Sequence, residues 1–513
     1  MVSKTIVRKN EYYDSVTLMS LSGKILKLEE VEEAVVSMAT AMNKELLANI
    51  GMLTDEARGC GDNDLIIALK VVSDEKYDEA LKLVNELLTS KNNRKKGNVE
   101  NPKTIAAAVK QMKDANLAVI SVPGAYAARE ARIALDNNLH VMLFSDNVTL
   151  EQEKALKEYA RGKGLLVMGP DCGTSIINNI GLCFANKVRR GSIGIVGASG
   201  TGLQEVMVLI DKLGGGISQA IGTGGRDLHE EIGGIMMIEG LKALNTDEAT
   251  EVIVLVSKPP AKAVENDILK AVKAVRKPVV VCFIEGDPES VEKAGAVFGY
   301  SLEDTAKKAV SLSGVNIDDI EHGNSKELEQ IIEAEKSKLN SEQKYVRGLF
   351  CGGTLCAEAL YVLRRKLGSI RSNVAKKEGE KLRDISKSEG NVVLDLGDDV
   401  FTVGKPHPMI EPSLRLDRIL KEAADKAVGV ILLDFELGYG SHKDPVGITI
   451  PAIREAKEAA SRDGRHLAVV GYICGTVEDM QNFKEQERML LEEGVILAVS
   501  NVQAAEIAGS LLA

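Results

Sequence analysis

The chain has no tryptophan, and only eight phenylalanines and ten tyrosines among 513 residues. Its cores must therefore be filled by Ala, Val, Ile, Leu and Gly, as in parallel α/β sheets with βαβ crossovers. Cysteine is sparse too. Seven are spread over the whole length, with no CxxC pair and no His at metal-ligand spacing. That pattern excludes a disulfide framework or a structural zinc site and suits a reducing cytoplasm. No long basic stripe appears, and the net charge of −11 argues against non-specific nucleic-acid binding. No apolar run approaches the ~20 residues of a membrane span, and no signal peptide opens the chain, so no membrane contact is expected. HExxH, P-loop, GxSxG and kinase motif sets are missing as well.

What is present is α/β periodicity with glycine at the strand ends. At ~150 residues per domain, the length suggests about three domains. Residues 1–95 read as a small α/β unit, plausibly ferredoxin-like, with strong strand and helix signals at Leu65–Val72 and Asp74–Leu88. A polar, basic stretch from Ser90 to Asn101 reads as a linker. Residues 102–190 read as a Rossmann-type unit, with strands at Leu117–Val122, His140–Phe144 and Leu165–Met168. Two further α/β units follow, at 191–316 and 345–513, and five strands alternating with helices give the last a flavodoxin-like order. Between them, about Ile317 to Lys344 reads as a solvent-laced helix that doubles as a linker.

Chemistry concentrates in glycine loops. The strand Ser192–Val196 runs through Gly197-Ala198-Ser199-Gly200-Thr201-Gly202 into a helix, and Ser218–Ile221 runs into Gly222-Thr223-Gly224-Gly225-Arg226-Asp227. Strand, glycine turn and helix point free backbone N–H groups and a positive dipole end at an anion. The pattern recurs at Cys351-Gly352-Gly353-Thr354. Ser199, Gly200, Thr201, Gly224, Gly225, Asp227, Gly352, Gly353 and Thr354 are therefore the candidate anion-binding positions, with Arg226 as a cation among them. Lys258, at a strand's carboxyl end, is either an anion-site candidate or a solvated lysine. The loop Asp398 to His407 is the richest in titratable groups. His407 between two prolines is either a general acid–base or an exposed ring in a rigid turn. Lys405 is either an anion clamp or a surface charge. Asp434 and Glu436 form either a functional carboxylate pair or strand-end packing. Cys172, Cys351 and Cys356 lie near glycine turns and are either reactive thiols or, as the commoner case, small buried hydrophobes.

The segments GPDCGTS (Gly169 to Ser175), GSIGIVGASGTGLQE (Gly191 to Glu205) and GTGGRDL (Gly222 to Leu228) resemble the succinyl-CoA synthetase alpha subunit, and the last third resembles the C-terminal domain of its beta subunit. Together with ISVPGAYAARE, FSDNVTLE, CGGTL and LDLGDDVFTVGKPHPMI, they are similar over nearly the whole length to the FdrA family. The resemblance implies a Rossmann-type CoA-binding-like domain, two ligase-type domains and two helix N-termini converging on one phosphoryl site, with the Asp398–His407 loop closing over it. It further implies a subunit of an oxamate carbamoyltransferase, converting oxalurate and phosphate to oxamate and carbamoyl phosphate alongside other protein subunits. Arg226, Lys405 and His407 would then act in catalysis, with no metal. An acyl-CoA synthetase, or a CoA- or anion-binding subunit, is the alternative, with CoA retained as a candidate ligand at Val122–Gly124 and Ser145–Asn147. The chain departs from the synthetases in two places. Glu285–Gly295, where the phosphohistidine would fall, contains no His, and Val256-Ser257-Lys258-Pro259-Pro260 replaces the supporting GEIGG segment. No ATP-grasp domain is evident.

Overall fold

The computed structural model describes residues 2–13, 15–26, 28, 30–61, 63–92, 102–317, 325–402 and 406–513. It divides into two units, residues 1–101 with 399–407, and residues 102–398 with 408–513. Most of the linker expected at Ser90–Asn101 lies outside the described residues.

In the first unit, the strand Leu65–Val71, buried except at Lys70, is central and pairs antiparallel with both Val2–Arg8 and Val31–Met38. Strand alternation explains the layering. Leu65, Ile67, Leu69 and Val71 pack with Leu18, Ile25 and Val84 on one face, and Ile66 and Ala68 pack with Leu47, Met52 and Ala57 on the other. A ferredoxin-like βαββαβ unit needs four strands. Three are found among the described residues, because the segment between the second and third folds as helices Ala41–Asn49 and Asp55–Gly59.

The second unit holds three sheets. The smallest is parallel, in the order Leu117–Ile120, His140–Leu143, Val167–Met168. The next has seven strands, in the order Val297–Phe298, Val279–Phe283, Val252–Ser257, Arg190–Gly197, Ile217–Gly222, Thr174–Ile177, Ile180–Cys183. Its first five are parallel and follow the flavodoxin order 2-1-3-4-5. The hairpin Thr174–Cys183, which the sequence places in the preceding domain, extends this sheet through an antiparallel pairing with Ile217–Gly222. The third sheet is fully parallel, in the order Ile370–Ser372, Asn391–Asp395, Tyr345–Phe350, Val428–Glu436, Ala468–Cys474, Ile496–Ala498. It is the expected flavodoxin order with one extra edge strand. The linker helix, Ser325–Lys336, sets Leu328 and Ile332 against the core and leaves Ile331 exposed.

One apolar core runs through both ligase-type sheets. Its axis is the helix Gly200–Lys212, in which every residue from Gly202 to Asp211 is buried. Leu203, Val206, Met207, Val208, Leu209 and Ile210 make it apolar all round, and such a helix is stable only when protein covers every side. It packs against helices Leu302–Leu312 and Gly353–Leu367, and the latter packs on Asn501–Ser510.

Candidate functional site

The carboxyl ends of parallel strands are where open α/β sheets bind ligands, and four loops from such ends meet here. The first follows strand Arg190–Gly197. Ser199 is extended and caps helix Gly200–Lys212, its Oγ accepting from Gly202 N at 2.9 Å. The second follows strand Ile217–Gly222 and is tied to the first by Thr223 N donating to Gly197 O at 2.9 Å. Gly224 must be glycine, because its φ is +80° and a Cβ would strike Pro170 O. The third brings Asp171 to Thr174. Thr174 is 1% exposed, its Oγ1 has no partner, and that oxygen lies 3.5 Å from where a Cβ on Gly200 would stand. Thr174, Ser199, Gly200, Gly224 and Gly225 line one cleft, with internal space of about a water molecule.

The fourth loop, Cys351–Thr354, joins strand Tyr345–Phe350 to helix Gly353–Leu367. The two helix N-termini converge. Ser199 Oγ hydrogen-bonds Thr354 Oγ1, and Thr354 N donates to Thr201 Oγ1 at 3.3 Å. A Cβ on Gly352 would lie 3.0 Å from Thr201 Cγ2 and 2.9 Å from Glu436 Oε1. The Gly352 amide, expected to face an external anion, instead donates to Asp434 Oδ2 at 2.8 Å, and Cys351 N donates to Asp434 Oδ1 at 2.8 Å. Arg415 Nη1 holds the same carboxylate at 3.2 Å. An internal carboxylate is thus already bound at this loop. Among the described residues, the amides of Gly200, Thr201 and Gly353 donate to no protein group, so the positive dipole ends keep free donors at these positions.

Three side chains that sequence reasoning left out or undecided stand around Gly352 and Gly353. Lys258 Nζ and Asp395 Oδ2 both approach the Cβ position of Gly353, Lys258 at 3.3 Å. Burial lifts the Asp395 carboxyl to about 6, against the opposing pull of Lys258. Glu436 is buried with Oε1 unpartnered, and burial followed by the Asp434 charge holds its carboxyl well above the ordinary value. The signal for these residues was their place at strand carboxyl ends, where Lys258 and Glu436 had been noted and Asp395 and Thr174 had not.

Arg226 and Asp227 sit in a different arrangement. Lys157, fully buried, donates to Glu153 Oε1 at 2.8 Å, Asp227 Oδ1 at 2.8 Å and Thr223 O at 3.0 Å. Asp227 accepts from Met236 N and Met237 N, capping helix Ile235–Thr246. Arg226 Nη2 donates to Val148 O at 2.8 Å and pairs with Glu153 at 2.9 Å. These contacts give Asp227 a structural task in place of the expected ligand contact. They make Arg226 a brace for the second glycine loop. Asp399–His407 is grouped with the first unit, and Lys405 lies outside the described residues. Burial raises the thiols of Cys172, to about 12, and of Cys351 and Cys356, well above the ordinary value, which makes them the inert hydrophobes expected. The loops considered for CoA lock together, with Ser145 Oγ donating to Val122 O at 2.6 Å.

Residues 349–511 match the CoA-ligase family, residues 188–286 the CoA binding domain, and residues 1–104 a family described as AllF, heavy metal-associated domain. The chain is 49% identical over 510 residues to the "Uncharacterized protein YahF" of Escherichia coli, spanning 99% of this chain and 98% of that one. The chain belongs to the YahF family. It is also 26% identical over 212 residues to the alpha subunit of the ADP-forming succinate–CoA ligase of Staphylococcus epidermidis, covering 40% of this chain and 68% of that subunit. The ATP citrate lyase of Methanothrix soehngenii aligns over 44% of this chain and 45% of its own, at 17% identity and a TM-score of 0.36. This YahF-family chain is thus built from CoA-ligase and CoA-binding domains, and the CoA-binding match falls on 188–286 rather than on 102–190. The heavy-metal description of the N-terminal unit finds no matching donor set, since residues 1–104 contain one cysteine, Cys60. Cys351, Asp434 and Glu436 put ligand atoms within 4.8 Å of one another. Asp434 is already taken by two amides and Arg415, and burial keeps the Cys351 thiol protonated, so the trio does not suit a cation either.

Proposed function

We propose that this chain is the acyl-transfer component of an acid–thiol ligase type of enzyme, handling a small acyl phosphate at the convergent helix N-termini. The carrying observation is the junction of Ser199, Thr201 and Thr354, beside the undonated amides of Gly200, Thr201 and Gly353. The CoA-ligase and CoA-binding matches support the same reading. In the step proposed, a thiolate attacks the acyl carbon, the C–S bond forms and the C–O bond to phosphate breaks. The phosphate leaves with the bonding pair. Its oxygens replace the Ser199–Thr354 hydroxyl contact and take the free amides, Thr174 Oγ1 and Lys258. Convergent dipole ends are each worth up to ~2 kcal/mol in partly buried geometry. Glu436 and Asp395, with raised pKa values, are placed to carry the proton the departing phosphate needs. CoA is the proposed thiol, and partner subunits complete the enzyme.

A second reading is favoured by the absence of His from Glu285–Gly295 and by the AllF-type N-terminal match. In it, phosphate attacks the carbamoyl carbon of oxalurate, releasing oxamate and forming carbamoyl phosphate, which is itself an acyl phosphate and uses the same cleft. One assay separates the two. The full chain is given acetyl phosphate with CoA, or oxalurate with phosphate, with and without a lysate of its source. Thioester supports the first reading, and carbamoyl phosphate alone supports the second. Failure of the chain to bind phosphate or either acyl phosphate by calorimetry overturns both.

A further inference from the structure

A second cavity lies at the opposite end of the same central helix. It opens at the carboxyl ends of strands Ala468–Cys474 and Ile496–Ala498, and its space, mouth included, is about 870 Å³. At 1.5 Å per residue, Lys212 is ~18 Å along the helix from Gly200, so this is not the cleft of the glycine loops. The walls are mostly apolar, from Ile473, Phe483, Leu497 and Val499. Val477 and Val499 are 63% and 53% exposed, apolar surface left facing solvent at the mouth.

Its charges do not cancel. Arg189 is paired with Asp211 at 3.0 Å, and Lys484 with Glu487 at 2.9 Å. Glu205 lies behind Lys212, and burial lifts its carboxyl to about 7. Lys212 remains. Among the described residues it makes no ion pair; Nζ donates to Ile473 O at 3.4 Å and lies over the Tyr472 and Phe483 rings at 5.3 and 5.0 Å. The enclosure pulls its pKa below the ordinary lysine value, while solvent reaches it through the cavity. A solvent-reached ammonium over two aromatic faces, in a mostly apolar cavity whose own carboxylates Asp211 and Glu487 are paired with Arg189 and Lys484, is half of a recognition site.

We propose that this cavity is a binding site for an organic monocarboxylate with an apolar or aromatic body, its carboxylate on Lys212 and its body between Phe483 and Val499. Such a ligand supplies the missing anion and covers the exposed valines. The inference does not depend on the acyl-transfer reading.

The test uses the full chain with 3-phenylpropionate as probe and its uncharged amide as control, read by calorimetry and ligand-observed NMR. The expected result is one submillimolar site for the carboxylate and at least about tenfold weaker binding of the amide, a ratio equal to one 1.4 kcal/mol step. Lys212→Met should lose about tenfold or more, and Val499→Trp, at the exposed mouth, should block the probe without touching the core. Ser199→Ala and Thr174→Val should leave the affinity unchanged. Absence of wild-type binding overturns the proposal. So does equal affinity for the amide, or binding that survives Lys212→Met and Val499→Trp but is lost in the cleft variants. If Lys212→Met does not fold, Val499→Trp and the amide control decide alone.

Discussion

At the scale of single residues, the informative groups are the buried ones with a missing partner. Thr174 Oγ1 is enclosed and unpaired in the cleft, and a buried hydroxyl without a hydrogen bond costs ~1–3 kcal/mol. An anion that accepts from it recovers this. Thr174→Val should therefore leave the melting temperature equal or higher and weaken phosphate about tenfold, as read by calorimetry. Glu205 and Glu358 carry a second prediction. Burial lifts both to about 7, from an ordinary 4.5. Asn501 joins them, its N donating to Glu205 Oε1 at 3.1 Å and its Nδ2 to Glu358 Oε2 at 2.7 Å. A raised carboxyl binds more protons in the folded chain than in the unfolded one. Its stability is fully present below about 4.5 and is lost as the pH climbs through about 7, at up to ~1.4 kcal/mol per pH unit for each group. Glu205→Gln keeps an acceptor for Asn501 and removes one titration. Thermal melts from roughly pH 5 to pH 8 should show wild-type stability falling and the variant falling less. Parallel curves would show that Glu205 is not the titrating group.

At the scale of elements, Gly200–Lys212 decides how the ligase-type body holds together. Its whole circumference is buried between two sheets, so Met207→Ala, at a fully buried position, should cost ~2–5 kcal/mol. Ile331→Ala on the exposed face of Ser325–Lys336 should stay within ~0.5 kcal/mol. Urea midpoints measure both. The same helix shows what was legible in the sequence. Its strand–loop–helix context was plain, and so was the flavodoxin order, because strands and helices alternate with clean periodicity. Its burial was also written in the run Val206 to Ile210, where apolar residues leave no polar stripe. The hairpin Thr174–Cys183 was not legible, because two four-residue strands split by Asn178-Asn179 look like loop. The roles of Arg226, Asp227 and Asp434 were hidden for another reason. Each is fixed by partners 70 or more positions away, Val148, Lys157 and the amides of Cys351 and Gly352, and a local motif cannot distinguish a loop that waits for an anion from one that already holds a carboxylate.

At the scale of the whole ligase-type body, one chain supplies both helix N-termini, from its CoA-binding match at 188–286 and its CoA-ligase match at 349–511. Among the described residues, no histidine lines the cleft they form. His140 is half-buried, with Nδ1 accepting from Leu166 N, and burial lowers its pKa; His229, two positions past the second glycine loop, is exposed, its N donating to Arg226 O at 3.0 Å; His466 pairs with Glu335; and the Nδ1 of His442 accepts from Asp444 N. In Glu285–Gly295, Glu285 turns with φ +60° and pairs with Arg364 of helix Gly353–Leu367 at 3.0 Å. That acid therefore braces the second helix and offers no ring nitrogen for a phosphoryl group. The chain should remain unlabelled by γ-labelled ATP or GTP. The quench matters, because a phosphoramidate on His survives base and is lost in acid, whereas an acyl phosphate on Asp or Glu behaves in the opposite way. Parallel acid and alkaline quenches should both give blank gels. A base-stable band would mean that a histidine outside the cleft accepts phosphate. An acid-stable band abolished by Asp395→Asn would mean that the carboxylate beside Lys258 and Gly353 replaces the ring, and that the chain charges its own site from a nucleotide.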